Sequence, residues 1–383
     1  MAKRKKRKLR TGFTTGAAAA AAAKGALSLL LGGKTPSRVK IELLTGSHLV
    51  IPIHTCLFED KNREKVRCTV IKDAGDDPDV THRAEIGAIV ILRDEETKKI
   101  NAGPDHAGLL ITGGKGVGTV TKPGLEIPPG EPAINPGPRK MITKAIEETL
   151  RKFNANIPVN VQVFVPGGEA LAKKTLNSRL GILGGISILG TTGVVKPMSH
   201  DAYIATIQSS MSVAKASGIT KLILTTGRRS ERYSQALWPN LPEESFIQIG
   251  DFFRMSLEEA SKKGFSSITL AAFFGKALKM AQRIPHTHAA KSRLTMHKLS
   301  EWSYMLIKNK VFSEKVLSAN TARHAFDFIL DEHPEIISYV GKQMITSAKL
   351  FSGTNVKIHG IIFDYSGNDI FNSEATLGEG ILS

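Results

Sequence analysis

The chain has 383 residues, more than one ordinary core holds, so two domains are expected. Its hydrophobic share is 41% and its charged share 23%, a globular balance, and 52 basic against 35 acidic residues leave a net charge of +17. No apolar run looks long enough to cross a bilayer and the N-terminus lacks the apolar core of a secretory signal, so a membrane or secreted protein is excluded and a cytoplasmic location expected.

The basic run Lys3–Lys8 reads as a solvated tail covering residues 1–9, and the remaining basic surface steers anionic partners toward the protein. Charge alone does not separate nucleic acid from a small molecule with several carboxylates. The two cysteines, Cys56 and Cys68, lack metal-site spacing and are expected to be buried, reduced thiols; no metal is expected.

The first predicted element is an alanine-rich helix, Ala17–Leu31, capped by Thr14 or Thr15 and stopped by Gly32-Gly33. Val39–Leu44 and His48–Ile53 form a hairpin around Thr45-Gly46-Ser47. Val66–Lys72 and Ile86–Leu92 are strands, with Thr119–Thr121 a candidate for another. An amphipathic helix at Met141–Phe153 and a strand at Val159–Val165 complete an α+β first half. From about Gly181 strands and helices alternate. Ile186–Leu189, Lys221–Thr225, Phe246–Ile249 and Ser267–Ala272 are strands, each followed by a helical segment. Their continuous apolar character predicts a mostly parallel sheet covered on both faces, a Rossmann-like α/β domain. Thr295–Phe351 reads as helical, Val356–Phe363 as a late strand, and the tail after Asp364 shows no periodicity. The domains are therefore expected at 10–178, binding substrate, and 179–383, binding a cofactor.

Open parallel sheets bind ligands beyond the carboxyl ends of their strands. Three such ends carry suitable residues: Gly190-Thr191-Thr192-Gly193, Thr226-Gly227 followed by Arg228-Arg229, and Gly250-Asp251. Glycines admit backbone N–H groups to a ligand, paired arginines clamp carboxylates, and an aspartate accepts from ribose hydroxyls. Plain turn formation is the competing explanation for each loop, and three on successive strands favour a cofactor site. In the first half, Thr14 and Thr15 open a helix N-terminus suited to an anion or to simple capping. Lys72-Asp73-Ala74-Gly75-Asp76-Asp77-Pro78-Asp79 crowds four aspartates together. They are turn formers, a cation loop without EF-hand spacing, or groups that position a substrate or take a proton. The Gly113–Gly118 loop with Lys115, then Lys122, offers a cradle for phosphate or carboxylate against a flexible hairpin. Arg139 follows a rigid proline-rich segment, and His288 sits near His286 and His297, where packing roles compete with a ligand role.

Taken together, several segments resemble the cobalt-precorrin-5B C1-methyltransferase (CbiD) family. They are TGFTTGAAAAAAAK at Thr11–Lys24, KDAGDDPDVTH at Lys72–His82, GVGTVTKPGL at Gly116–Leu125 and GEPAINPGPRKMI at Gly130–Ile142. PGGEALAKKTLNSRLGILGGISILGTTGVVKPMS at Pro166–Ser199, TTGRRSE at Thr225–Glu231 and IGDF at Ile249–Phe252 complete the set. The resemblance runs in order over about residues 10–300. It implies an S-adenosylmethionine-dependent enzyme of cobalamin biosynthesis that methylates C1 of a polycarboxylate cobalt-corrinoid precursor to give cobalt-precorrin-6A. Ala18 stands where the family is expected to have cysteine, which excludes a thiol role there; Arg83 replaces a usual glycine and Gly137 a usual valine.

On this resemblance the donor would be held by Gly190, Thr191, Thr192, Gly193, Thr226, Gly227, Gly250 and Asp251. The substrate would meet Thr14, Thr15, Lys72, Lys122, Arg139, Arg228, Arg229 and His288. Asp73, Asp76 or Asp77 would orient the ring or take a proton. The alternatives are a nucleic-acid-binding protein, disfavoured by 6% aromatics and the absence of an RNA module, and a small-molecule kinase using Gly113–Gly118. No membrane partner is expected, and homo-oligomer formation is left open.

Overall fold

The computed structural model describes residues 9–92, 108–288, 292–353 and 355–374. The basic run Lys3–Lys8 lies outside the described residues. The chain divides into two compact units, Met1–Asp201 and Ala202–Ser383.

The first unit is built on the helix Thr15–Gly32. The Thr14 side chain accepts from the Ala17 amide, and Gly33 ends the helix at φ 67°. Ala17 through Ala23 are all fully buried. One side of the helix meets the strands Lys65–Ile71 and Glu85–Leu92, and another meets the helix Pro136–Lys152. A helix covered on several sides leaves room for little more than methyl groups, which is why the sequence there is alanine. By length and hydropathy this helix would pass for a membrane span, contrary to the sequence expectation, yet 72% of it is buried within the protein.

The sheet beneath it has the strand order Thr55–Phe58, Lys65–Ile71, Glu85–Leu92, Val159–Phe164, Leu109–Gly113. Only the last pair is parallel. The hairpin Arg38–Glu42 and His48–Pro52 forms as expected. Thr55–Phe58 and Leu109–Gly113 escaped sequence reading, because each is only four or five residues long, too short for a clear alternation.

The expected boundary at 178/179 shifts to 201/202. Ile182–Leu183 pairs with Thr119–Val120, Gly185–Ile186 with Gly116–Val117, and Val194–Val195 with Gly12–Phe13. These ladders tie residues 182–195 to the first unit, so Ile186–Leu189 does not begin the C-terminal sheet.

The second unit carries a sheet in the order Phe246–Gln248, Lys221–Thr225, Ser267–Phe273, Lys357–Phe363, Asp369–Asn372. The first four strands are parallel and the fifth is antiparallel. This bears out the mixed α/β expectation and adds a strand in the tail read as aperiodic. Helix Arg228–Leu237 packs on the face bearing Ile223, Phe246, Ala271, Ile361 and Phe363. Helices Phe253–Lys262, Phe274–Ala281 and Glu335–Ser352 join the core on the opposite face, with Leu222, Leu224, Ile268 and Leu270.

Ala20→Leu should lower the stability of the first unit by about 1–3 kcal/mol, because overpacking forces side chains from their rotamers; urea unfolding measures the loss.

Candidate functional site

At the N-terminus of the alanine helix three loops close on one another. The Phe13 amide donates to the Asp73 carbonyl at 2.8 Å, Thr14 to Gly193 at 3.0 Å, and Gly16 to Leu189 at 3.1 Å. The Thr15 hydroxyl accepts from the Leu189 amide at 2.9 Å. The contacts are so close that glycine is obligatory. A Cβ on Gly12 would stand 2.2 Å from the Asp73 carbonyl oxygen, and one on Gly190, at φ 145°, 2.4 Å from the Thr14 hydroxyl oxygen. Thr14, Thr15, Gly190 and Gly193 thus hold this corner together, and Thr192 receives the Val194 amide at 3.1 Å. Thr191 is exposed beside them. Gly190–Gly193 belongs to the first unit and not, as expected, to a strand tip of the parallel sheet.

The crowded aspartates are paid for by partners close at hand. Arg10 forms an ion pair with Asp73, and the Arg10 amide donates to Asp76 at 2.7 Å. The Arg10 hydrogen bond, despite some burial, holds the Asp73 carboxyl below its usual range. Asp77 accepts from the Met198 amide at 2.8 Å. The His82 Nδ1 accepts from the Ala74 amide at 3.0 Å, which fixes the neutral ring as the Nε2–H tautomer. Among the described residues, no group of three or more His, Cys, Asp or Glu side chains is placed to hold a metal ion.

Lys72, expected to grip substrate, is 1% exposed and is among the largest fully buried side chains of the described residues. Its Nζ lies 2.6 Å from Asp79 Oδ2, while Asp79 Oδ1 accepts from the Thr81 amide and hydroxyl. Burial pushes the Asp79 carboxyl up, but the Lys72 charge and these hydrogen bonds outweigh it and hold it below its usual range. Lys72 is therefore a structural cation. Arg139 donates to the Ile134 carbonyl at 3.2 Å and the Ile111 carbonyl at 3.3 Å, bracing the proline segment against a strand end. The Lys122 side chain packs over Gly181.

The Gly113–Gly118 loop also turns inward. Its Gly114, Val117 and Gly118 amides donate to the carbonyls of Val163, Gly114 and Ile186. A Cβ on Gly116 would meet the Val165 carbonyl oxygen at 2.0 Å. Amides spent on carbonyls cannot cradle a phosphate, so the kinase alternative loses its basis.

The second unit has the geometry of a ligand-binding sheet. Lys221–Thr225 and Ser267–Phe273 are adjacent and parallel, yet the helices that follow them cover opposite faces. Their exit loops diverge, and open α/β sheets bind ligands beside such a divergence at the carboxyl ends. Thr226-Gly227 lies at this edge, and a Cβ on Gly227 would meet nothing within 4 Å, leaving open space beside its backbone. Arg228 opens the next helix, exposed and, among the described residues, without a hydrogen bond or ion pair. Arg229 donates to the Tyr365 carbonyl at 2.7 Å and lies over the Phe273 ring.

At the neighbouring tip, Gly250 takes φ 57° and Asp251 pairs with Lys276, also accepting from the Thr287 hydroxyl at 3.0 Å. Burial raises the Asp251 carboxyl, and the Lys276 and Thr287 hydrogen bonds more than offset this, leaving it low. Lys279 donates to the Thr287 and His288 carbonyls at 3.1 and 3.2 Å, so His288 takes part through its backbone while its side chain is exposed.

Two residues missed from the sequence complete the edge. Tyr203 stacks on Phe252 at 5.2 Å, and its hydroxyl proton is held more tightly than usual by burial and by the charges of Asp251 and Glu231. Glu231 is 7% exposed and its carboxylate accepts from the Gln248 side-chain Nε2 at 2.6 Å. Glu231 closes the TTGRRSE segment and could have been found as an acid in the first turn of a helix leaving a strand tip; nothing local marks Tyr203.

Removing the Lys72 cation leaves Asp79 buried without its counter-ion. Lys72→Met should cost somewhat less than the about 3–5 kcal/mol of a fully buried pair, since the Asp79 side chain keeps 25% exposure; adding Asp79→Leu should recover most of the loss in chemical denaturation. A depressed Asp79 pKa contributes stability above the unfolded value of about 3.9, and that contribution disappears as pH falls through the lower folded value, a dependence absent from the double variant. Arg83 sits at φ 63°. Arg83→Gly should stabilise by up to about 1 kcal/mol, the left-handed strain less the entropy given to the unfolded chain; thermal unfolding reads the shift.

A family model described as CbiD matches residues 2–197, and one described as CbiD, C-terminal domain, matches residues 286–374. A cobalt-precorrin-5B C(1)-methyltransferase from Desulfotalea psychrophila is 43% identical over 335 residues, covering 87% of this chain and 89% of the relative. One from Leptospira borgpetersenii serovar Hardjo-bovis is 38% identical over 381 residues, covering 98% and 99%. A solved structure of a cobalamin biosynthesis protein (cbiD) from Archaeoglobus fulgidus is 24% identical, covers 85% of this chain and 84% of its own, and superposes with a TM-score of 0.38. With a family model over the first half of the chain and a relative this similar over most of its length, the chain belongs to the CbiD family.

Proposed function

We propose that this chain is a cobalt-precorrin-5B C1-methyltransferase of cobalamin biosynthesis that takes its methyl group from S-adenosylmethionine. The observation that carries the reading is the match to relatives of that name over nearly the whole chain. The second unit, a Rossmann-like α/β sheet, is the seat of the donor, and the basic surface of the protein serves a substrate rich in carboxylates.

The residues at the diverging strand tips fit such a donor. Gly227 leaves its backbone open, and the Glu231 carboxylate and the Lys276-paired Asp251 offer acceptor oxygens to a donor's hydroxyl and amino groups. When bound there, S-adenosylmethionine supplies an electrophilic methyl group on a sulfonium. Thr226, Gly227, Gly250 and Asp251 hold the donor, with Tyr203 and Phe252 as an aromatic wall. In the second unit, Arg228 and Arg229, with His288, engage carboxylates of the macrocycle. Methyl transfer to an electron-rich carbon asks for alignment and exclusion of water more than for a strong base. Asp73, Asp76 and Asp77 accordingly serve by fixing Arg10 and Met198 rather than by moving a proton. A cytoplasmic location accompanies this reading.

Incubating the protein with methyl-labelled S-adenosylmethionine and the cobalt macrocycle should add one labelled methyl to the ring by mass analysis; recovery of the ring unlabelled under anaerobic conditions overturns the assignment. Arg228→Glu should raise the KM for the macrocycle about tenfold or more, the worth of one charge-assisted hydrogen bond, while leaving the KM for the donor and the unfolding midpoint in place.

A further inference from the structure

Cys56 lies on the edge strand Thr55–Phe58, and the register sets it directly opposite Cys68 on Lys65–Ile71. The Glu59 amide donates to the Lys65 carbonyl at 2.9 Å, which makes Glu59 and Lys65 a hydrogen-bonded pair. Hydrogen-bonded and non-hydrogen-bonded pairs alternate along an antiparallel ladder. Counting back through Phe58/Val66 and Leu57/Arg67 places Cys56/Cys68 at a non-hydrogen-bonded position. There the Cα atoms approach to about 4.5 Å with their side chains together, inside the span of about 4.4–6.8 Å that a disulfide bridges.

Both cysteines are free thiols, and the register sets them against each other across the ladder. Interaction with Cys68 pulls the Cys56 thiol below its usual range against the effect of burial, whereas interaction with Cys56 and burial push the Cys68 thiol up. Cys56 is also the more accessible, at 9% exposure against 0% for Cys68, and its strand has a neighbour on one side only. The alanine helix runs directly over the pair, since a Cβ on Gly25 would come 2.7 Å from the Cys68 sulfur.

We propose that Cys56 and Cys68 are a reversible oxidation site, closed to a cross-strand disulfide by a low-molecular-weight disulfide and reopened by thiols. The Cys56 thiolate attacks one sulfur of the small disulfide, whose S–S bond breaks and releases one thiol that carries off the Cys56 proton. Cys68 then loses its proton and attacks the Cys56 sulfur, displacing the second small thiol. Two protein thiols are oxidised and one small disulfide is reduced to two thiols. Because the pair is already in register, closure needs no rearrangement of the sheet, and it staples the edge strand beneath the helix.

The test treats the reduced, full-length protein with oxidised glutathione, then quenches with an alkylating agent under denaturing conditions. The expected products are a monomer lighter by two hydrogens, a peptide map joining Cys56 to Cys68, and an unfolding midpoint raised by about 5–10 °C. Dithiothreitol should restore the original mass and midpoint, and Cys56→Ser should show neither change. Two alkylated thiols after treatment, a glutathione adduct that stays on Cys56, or a disulfide between chains would overturn the proposal. The mapping on the unmodified sequence decides the matter even where a variant folds poorly.

Discussion

A helix that must be buried on nearly every side can carry little beyond methyl groups, and the rest of the first unit depends on that constraint. Alanines at 17–23 let the helix Thr15–Gly32 lie against the sheet and against Pro136–Lys152 at the same time. Its N-terminus cannot be left to solvent either. The loops at Asp73 and Gly190 come up against it, backbone on backbone, at distances only glycine tolerates. A large set of glycines is therefore committed to close packing, which explains why loops that look like ligand cradles by composition have their amides already engaged.

The same economy governs the charges. The aspartates of the 72–79 loop would repel one another if left alone, and each described carboxylate in that loop instead finds a cation or a backbone amide. The pair Lys72–Asp79 is the deepest of these, and its value lies in the penalty for breaking it more than in the gain from making it. The conformational strain at Arg83 lies in the turn that follows, where its amide donates to the Lys72 carbonyl at 2.8 Å.

The second unit obeys a different logic. Its parallel strands are largely apolar because both faces are covered, and candidate ligand-binding residues sit at the carboxyl edge. There the direction of each crossover, not the sequence of any one loop, sets where the exit loops diverge. Thr226-Gly227, Gly250-Asp251, Tyr203 and Glu231 share that edge although Tyr203 and Asp251 are far apart in the chain.

The sequence by itself determined the alanine helix, the 38–52 hairpin, the alternation of parallel strands and helices from Lys221 to Gln282, and the family. Each rests on local composition, spacing or long ordered strings. Only the tertiary structure decided which residues are free to act. It buried Lys72, tied Arg139 to carbonyls, drew Gly190–Gly193 into the first unit and brought Tyr203 and Glu231 to the strand tips. The physical reason is that propensity and periodicity act over a few residues. Whether an amide or a charge is open to a ligand depends instead on which distant backbone has already claimed it.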